Sequence, residues 1–227
     1  MTVTEQSVRS AFSAFIADPR YPCLAAKGLA AHDDYRLEVF GSLGSLPESH
    51  ALAAGLRSFV RGAERFEEHG ALTAFVAVFP GDPPSGEAEF DRRLWLQLQR
   101  LHECDEPSPG WNQSVSDDPE DPRFSFSFAG CPLFVIGLHP RSSRLARRFA
   151  WPALVFNPHA QFERLRREGL FDRLRDQIRD RDAALQGSVN PTVANFGEAS
   201  EARQYSGLDT TDGSWRCPFH AGRSRRA

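Results

Sequence analysis

Two apolar runs, FVIGL at 134–138 and ALVFN at 153–157, constrain this chain more than any other feature. Neither alternates with polar residues, so each has the pattern of a strand covered on both faces. Strands of that kind belong to a sheet with helices packed over it. Other segments supply the remaining strands. YRLEVF (35–40) alternates, LTAFVAVFPG (72–81) is a buried run, and RFSFSF (123–128) alternates aromatic with small residues before Ala129-Gly130 turns the chain into the first apolar run.

Helical spacing connects them. Val8, Phe12, Phe15 and Ile16 fall on one face of residues 6–17, and a helix can restart at Cys23 after Pro22. SHALAAGLRSFVRGAERFEEHG reads as an amphipathic helix closed by Gly70. In EFDRRLWLQLQRLHECDE, Phe90, Leu94, Leu98 and Leu101 form a single stripe, and residues 162–185 are helical with a break at Gly169. The polar loop at 107–124 is long enough for a functional or mobile role. With 227 residues, 41% of them apolar, and no clean linker, the chain reads as one α+β domain. Its sheet is central and mixed, helices pack on it, and the C-terminal segment is loop-rich. The domain spans 1–219, and 220–227 is expected to be a disordered tail.

A net charge of −3 gives no global reason to expect nucleic acid or an acidic membrane surface as partner. No apolar run is long enough for a transmembrane helix, and the first residues lack the pattern of a signal peptide, so a cytoplasmic location is expected. The four scattered cysteines form no CxxC pair. Hydrolase motifs and a P-loop are missing.

The chemistry concentrates at the ends of the two apolar runs. His139 and His159 each follow a run and adjoin a proline, and Arg141, Arg144, Arg147 and Arg148 lie between them. The segment SSRLARRF has room for about two helical turns. If it makes a β-α-β crossover, the strands are parallel and both histidines share one end of the sheet, where ligands bind. If the strands are antiparallel, the histidines fall on opposite edges and cannot share a ligand. The simpler alternative is that Pro140 and Pro158 end strands and each histidine bonds backbone. The arginines suit an anion such as a carboxylate or phosphate.

Cys23, at a helix start, is a third candidate metal ligand, because unpaired N–H groups and the helix dipole stabilise a thiolate there. A buried, inert thiol is the competing reading. His102 is expected in the core, and Cys217 either anchors the C-terminus or approaches the site. In GEASEAR, Glu198 and Glu201 lie beside Arg203, Gln204 and Tyr205, either as a solvated loop or as a site for a small zwitterion.

Long phrases resemble those of the YqcI/YcgG family: YPC (21–23), LWxxLQxLHxxD (94–105), FSFSFAG, GLHPRSSRLARRF, LVFNPHAQFERLR, LQGSVNP, GEASEARQYSG and WRCPF (215–219). The resemblance runs from about Pro19 to Phe219. Cys131 stands where many relatives carry arginine, which argues against that cysteine as a ligand. The resemblance implies a haem-dependent N-hydroxylase of a guanidino group, as in D-cycloserine and guanitoxin biosynthesis. It implies haem b as cofactor, an arginine-like amino acid and O2 as substrates, and a separate reductase or ferredoxin as electron donor. Toward that group the candidate iron ligands are His139, then His159, then Cys23, with Arg141, Arg144 and Arg148 holding propionates. Glu201, with Glu198, would pair the guanidinium, and Tyr205 would complete the catalytic group. Two other readings stay open: a haem carrier or sensor, and a non-haem metal enzyme using His139, His159 and Glu163.

Overall fold

The computed structural model describes residues 3–68, 72–105, 110–192 and 195–222, with the side chains of 63–68 left aside. Helix α1 (Glu5–Ala17) starts at Thr4, whose hydroxyl accepts the Ser7 N–H at 3.2 Å. It buries Val8, Phe12 and Ile16, the stripe expected from the spacing. Helix α2 (Leu24–His32) follows the YPC turn, and β1 (Tyr35–Val39) follows α2. Helix α3 (Leu46–Glu68) then crosses to β2 (Ala74–Val78), which pairs with β1 in parallel. Gly70, the expected stop of α3, lies outside the described residues.

Helix α4 (Glu87–Asp105) packs its expected stripe inward: Phe90, Leu94, Leu98 and Leu101 are all fully buried. Strands β3 (Phe126–Phe128) and β4 (Cys131–Leu138) form a hairpin through Ala129 and Gly130, at φ 51° and 75°. Those angles belong to a two-residue turn whose twist matches the strands. The Ala129 N–H is held by Asp105 Oδ2 at 2.7 Å, which fixes an alanine in a conformation alanine disfavours. Of the long polar loop, 106–109 lie outside the described residues. Beyond them the Asn112 amide bonds the Gly130 carbonyl at 2.7 Å, so the loop is tied to the hairpin.

Strand β5 (Ala153–Pro158) runs directly into α5 (His159–Arg167), and α6 (Phe171–Gln186) follows. The break between them falls at Gly169, φ 70°. A short helix, α7 (Ala202–Tyr205), precedes an irregular C-terminal segment. The sheet order is β1-β2-β5-β4-β3, with every pair except β1/β2 antiparallel. The fold is thus α+β with a mixed sheet, as its pattern indicates.

Strands β4 and β5 are antiparallel, with Leu138 opposite Ala153 and Leu133 opposite Pro158. Between them only Leu145–Arg147 forms a single 3-10 turn, not the two helical turns for which the segment has room. Pro140 and Pro152 bracket the segment, and the Arg147 carbonyl accepts the His139 N–H at 3.0 Å, drawing the connection back on itself. A parallel crossover needs a longer covering element.

Each sheet face has its own core. Phe75, Ala77, Leu133, Val135, Leu154 and Phe156 meet α3, α4 and α7 on one side. Phe219 and Cys217 of the WRCPF segment join that core, and the Trp215 indole bonds Asp91 at 3.1 Å. His102 packs edge-on to Phe219 there. The His220 N–H bonds Gln99 Oε1 at 3.0 Å, so the expected tail begins as a segment tied to α4, and 223–227 lie outside the described residues. The opposite face carries Tyr35, Leu37, Ala74, Val76, Val78 and Leu138 under α1 and α2. No described helix is long and apolar enough to cross a membrane.

Candidate active site

The antiparallel pairing separates the two histidines. His139 closes β4 and His159 follows β5, so they sit at opposite ends of the same strand pair, roughly 20 Å apart over six residues of strand. They cannot share a ligand. His139 is 1% exposed and stacks on Phe90 at 4.3 Å between ring centroids. Its Nδ1 has no partner among the described residues. Burial pushes its pKa from 6.5 down to about 4, against the nearby charge of Glu87. It belongs to the α4 side of the sheet, away from the cavity on the other face.

The unfolded chain protonates His139 below about 6.5 while the folded chain does not, so stability is full above that pH and falls as the pH drops toward 4. The loss is on the order of 3 kcal/mol at most. His139→Phe keeps the stacking and removes the titration, so its urea midpoint should vary less between pH 6.5 and 4 than that of wild type. Equal pH dependence of the two proteins would refute this.

The other sheet face holds a cavity of ≈ 280 Å³ between the strands, α1, α2, α5 and α6. Its walls are mainly apolar: Phe12, Ile16, Leu29, Val76, Ile136 and Val155 among them. Polar groups enter at few points, the pattern of a site for an organic ligand. Cys23 is one. Its Sγ caps α2 by accepting the Ala26 N–H at 3.4 Å, and burial pushes the thiol pKa up. The turn carrying it is pinned by Arg181 of α6, which bonds the carbonyls of Pro19 and Tyr21 at 2.6 and 3.0 Å.

His159 is another, because β5 runs straight into α5 and leaves this side chain at the junction. It is 5% exposed and lies edge-on to Phe196 at 4.5 Å. Both ring nitrogens face carboxylates: Nε2 lies 3.2 Å from Glu201 and Nδ1 lies 3.8 Å from Glu163. Glu201 also lines the cavity, buried at 5% exposure, with its second oxygen accepting the Tyr205 hydroxyl at 3.3 Å.

The segment carrying Glu201 is held from behind. The buried Arg147 guanidinium donates to the Gln204 and Tyr205 carbonyls at 2.7 and 2.8 Å, and burial lowers its pKa to about 10. Gly207, at φ 81°, leaves room for it: a Cβ there would lie 2.6 Å from Arg147 Cδ. Tyr205 itself lies in the core rather than on the cavity wall. It stacks on Trp95 at 5.6 Å, and its oxygen accepts the Phe126 N–H at 3.0 Å. Burial raises its pKa well above 10, and it meets the cavity wall through Glu201 and through Phe134, whose ring lies edge-on at 5.8 Å. Glu198 is exposed and bonded to Asn195, outside the wall.

The expected propionate arginines lie elsewhere. Arg141 and Arg148 are exposed on the β4–β5 connection, and Arg144 pairs with Asp182 and Ser188. None lines the cavity. The arginines that do are Arg166, Arg175 and Arg179, on helices that the charge pattern alone presents as solvated. Asn157, Gln161 and Gln204 complete the polar lining. Gln161 lies in the LVFNPHAQFERLR phrase, where it holds the Thr73 N–H at 2.9 Å. Among the described residues no three His, Cys, Asp or Glu side chains cluster around a metal position. With His139 at the far edge, the trio of His139, His159 and Glu163 does not form.

The donor chemistry fits a haem in kind: apolar walls, a thiol and an imidazole on one lining, and guanidinium groups for propionates. No solved structure matches the chain. Among curated proteins, "Putative N(omega)-hydroxy-L-arginine synthase DcsA" of Streptomyces lavendulae is 30% identical over 218 residues, covering 90% of this chain and 79% of that protein. YcgG of Bacillus subtilis strain 168 is 26% identical over 210 residues, 88% of this chain and 80% of its own length. YqcI of the same strain is 24% identical over 205 residues, with the same two shares. The family model that matches extends over residues 12–220, nearly the whole fold described above, and the chain belongs to the YqcI/YcgG family.

Proposed function

We propose that this protein N-hydroxylates the guanidino group of arginine or an arginine-like amino acid, with haem as cofactor. The observation that carries the reading is Glu201: a buried carboxylate on the wall of an apolar cavity, in a chain similar to a protein named for N-hydroxyarginine synthesis. A guanidinium leaving water for such a cavity needs a carboxylate that can accept two of its N–H groups. Glu201 is held for that role by the Tyr205 hydroxyl on one oxygen and by His159 on the other.

In the overall reaction, one atom of O2 forms the N–O bond and the hydrogen from nitrogen ends on the new hydroxyl. The other atom leaves as water, with two electrons from an external donor and two protons. Bound haem would supply the activation of O2. The chain's own part is to bind, orient and keep water out. The apolar wall limits water at the reacting nitrogen, and the Glu201–His159 contact keeps the carboxylate that pairs the guanidinium in place.

Of the candidate iron ligands, the cavity contains His159 and Cys23. Both nitrogens of His159 face carboxylates, whereas Cys23 Sγ carries a backbone N–H as its hydrogen-bond partner. We therefore assign the iron to Cys23, whose thiolate would also favour O–O cleavage. The test is the absorption of haem-supplemented protein in ferric and ferrous-CO forms, paired with product detection from L-arginine, O2 and a ferredoxin–reductase couple. A thiolate-type ferrous-CO band, lost in Cys23→Ser, together with N-hydroxyarginine, is expected. An imidazole-type band that Cys23→Ser leaves unchanged moves the ligand to His159. Haem uptake without product would leave a haem-binding protein and remove the hydroxylase.

A further inference from the structure

The cavity lining is electrically lopsided. Among the described residues it holds one carboxylate, Glu201, and three guanidinium groups, Arg166, Arg175 and Arg179. Two of the three are matched. Arg166 pairs with Glu163 and lies over the Phe171 ring at 4.1 Å. Arg175 meets Asp172 at 2.7 Å, Asp176 at 2.8 Å and the Asn195 side chain at 3.2 Å. Arg179, one turn along α6 from Arg175, forms no hydrogen bond or ion pair with any described residue. Its acidic neighbour Glu198, exposed outside the wall, attracts it through space but makes no ion pair with it, both Glu198 oxygens accepting from Asn195 at 3.2 and 2.8 Å.

Two of the arginines also reach a second cleft. Arg166, Arg175, Phe171 and Asn195 line both the cavity and an adjoining cleft of ≈ 310 Å³, which Glu201 and His159 do not reach. The carboxylate thus lies away from the cleft, while two of the arginines stand at it. An apolar cavity with a single acid and a surplus guanidinium complements a ligand that is cationic at one end and anionic at the other.

From this arrangement we infer that Arg179, framed by Arg166 and Arg175, is a carboxylate-binding site of the cavity. This rests on the guanidine reading above and extends it to the other end of the ligand. Two carboxylates could occupy the site: the α-carboxylate of the amino-acid substrate, or a propionate of the cofactor. The bipolar lining favours the first. Specificity would then require an amino acid rather than a bare alkylguanidine, because a guanidinium site left without its carboxylate stays unpaired.

Calorimetric titration of the haem-loaded chain with L-arginine and with agmatine, which lacks the carboxylate, tests this on wild type, Arg179→Gln and Arg166→Gln. A parallel absorption titration of the haem-free chain uses haem and its dimethyl ester. Wild type is expected to bind L-arginine at least ~10-fold more tightly than agmatine, with the preference collapsing in Arg179→Gln. If the preference survives but Arg179→Gln binds haem no better than wild type binds the diester, the carboxylate is the propionate and the site stands. If both variants behave as wild type toward all four ligands, the site is overturned while the guanidine reading survives. A wild-type chain that takes up neither arginine nor haem overturns both.

Discussion

Gly137→Val is expected to yield insoluble chain, and Gly137→Ala a folded protein melting several degrees below wild type. A Cβ at this position would lie 2.6 Å from Phe90 Cε1 and 2.9 Å from Leu94 Cδ1, and both side chains are fully buried. Neither can swing into solvent, so the strain passes to the packing of α4 on the sheet. Overpacking of this kind costs about 1–3 kcal/mol for a methyl and more for a branched side chain. In a domain of this size that is roughly 2–4 °C per kcal/mol. The mechanism has its own check. Phe90→Leu destabilises by itself but opens space at Gly137, so Gly137→Ala should cost less in that background than in wild type. Additive losses in the double variant would show that the clash is not the cause.

Glu201→Gln is expected to weaken L-arginine binding by about 100-fold while leaving the fold intact. The variant keeps the shape and one acceptor for the Tyr205 hydroxyl, and it removes the charge that a guanidinium needs in an apolar cavity. Breaking a buried pair by neutralising one partner costs about 3–5 kcal/mol, and a charge-assisted hydrogen bond lost near solvent about 1.5–3. A 100-fold change lies within that span. Glu201→Asp should recover part of the binding, since it restores charge at a shorter reach. The measurement is a calorimetric Kd for L-arginine on haem-loaded protein, with the melting temperature of each variant alongside. An unchanged Kd in Glu201→Gln would remove the carboxylate from substrate recognition and leave it as the orienting partner of His159. Tyr205→Phe serves as a companion. It takes one hydrogen bond from Glu201, so it should raise KM less than Glu201→Gln and shift stability more, because the Tyr205 oxygen also accepts the Phe126 N–H.

Much of the candidate site is legible in the sequence, but in pieces. Cys23, His159 and Glu201 were each candidates, from a helix start, a strand end and an acidic loop, and the fold brings all three to one cavity. His139 carried the same signal as His159, an imidazole between an apolar run and a proline, and the fold stacks it on Phe90 on the α4 side. The arginines divided the other way. Those interleaved with the histidines proved to be surface groups or structural ties, and Arg147 proved to be a buried brace for α7. Arg166, Arg175 and Arg179 belong to a stretch dense in both charges, where only the neighbouring elements reveal which face is covered.

Periodicity and turn chemistry are local, and they determined the strands, the stripe on α4, the hairpin turn at Ala129-Gly130 and the break at Gly169. The direction of β5 beside β4 was beyond them, because the same apolar run satisfies a parallel and an antiparallel ladder equally well. That choice depends on pairings summed over distant segments: Phe75 with Phe156, Val135 with Phe156, and the Arg147 turn closing back on His139. Once β5 ran antiparallel, His159 emerged at the opposite end of the strand pair from His139, and α5 and α6 were laid over the face that α1 and α2 leave open. The residue types were written in the chain, but which of them share a cavity was decided by strand direction, a property of the assembled sheet.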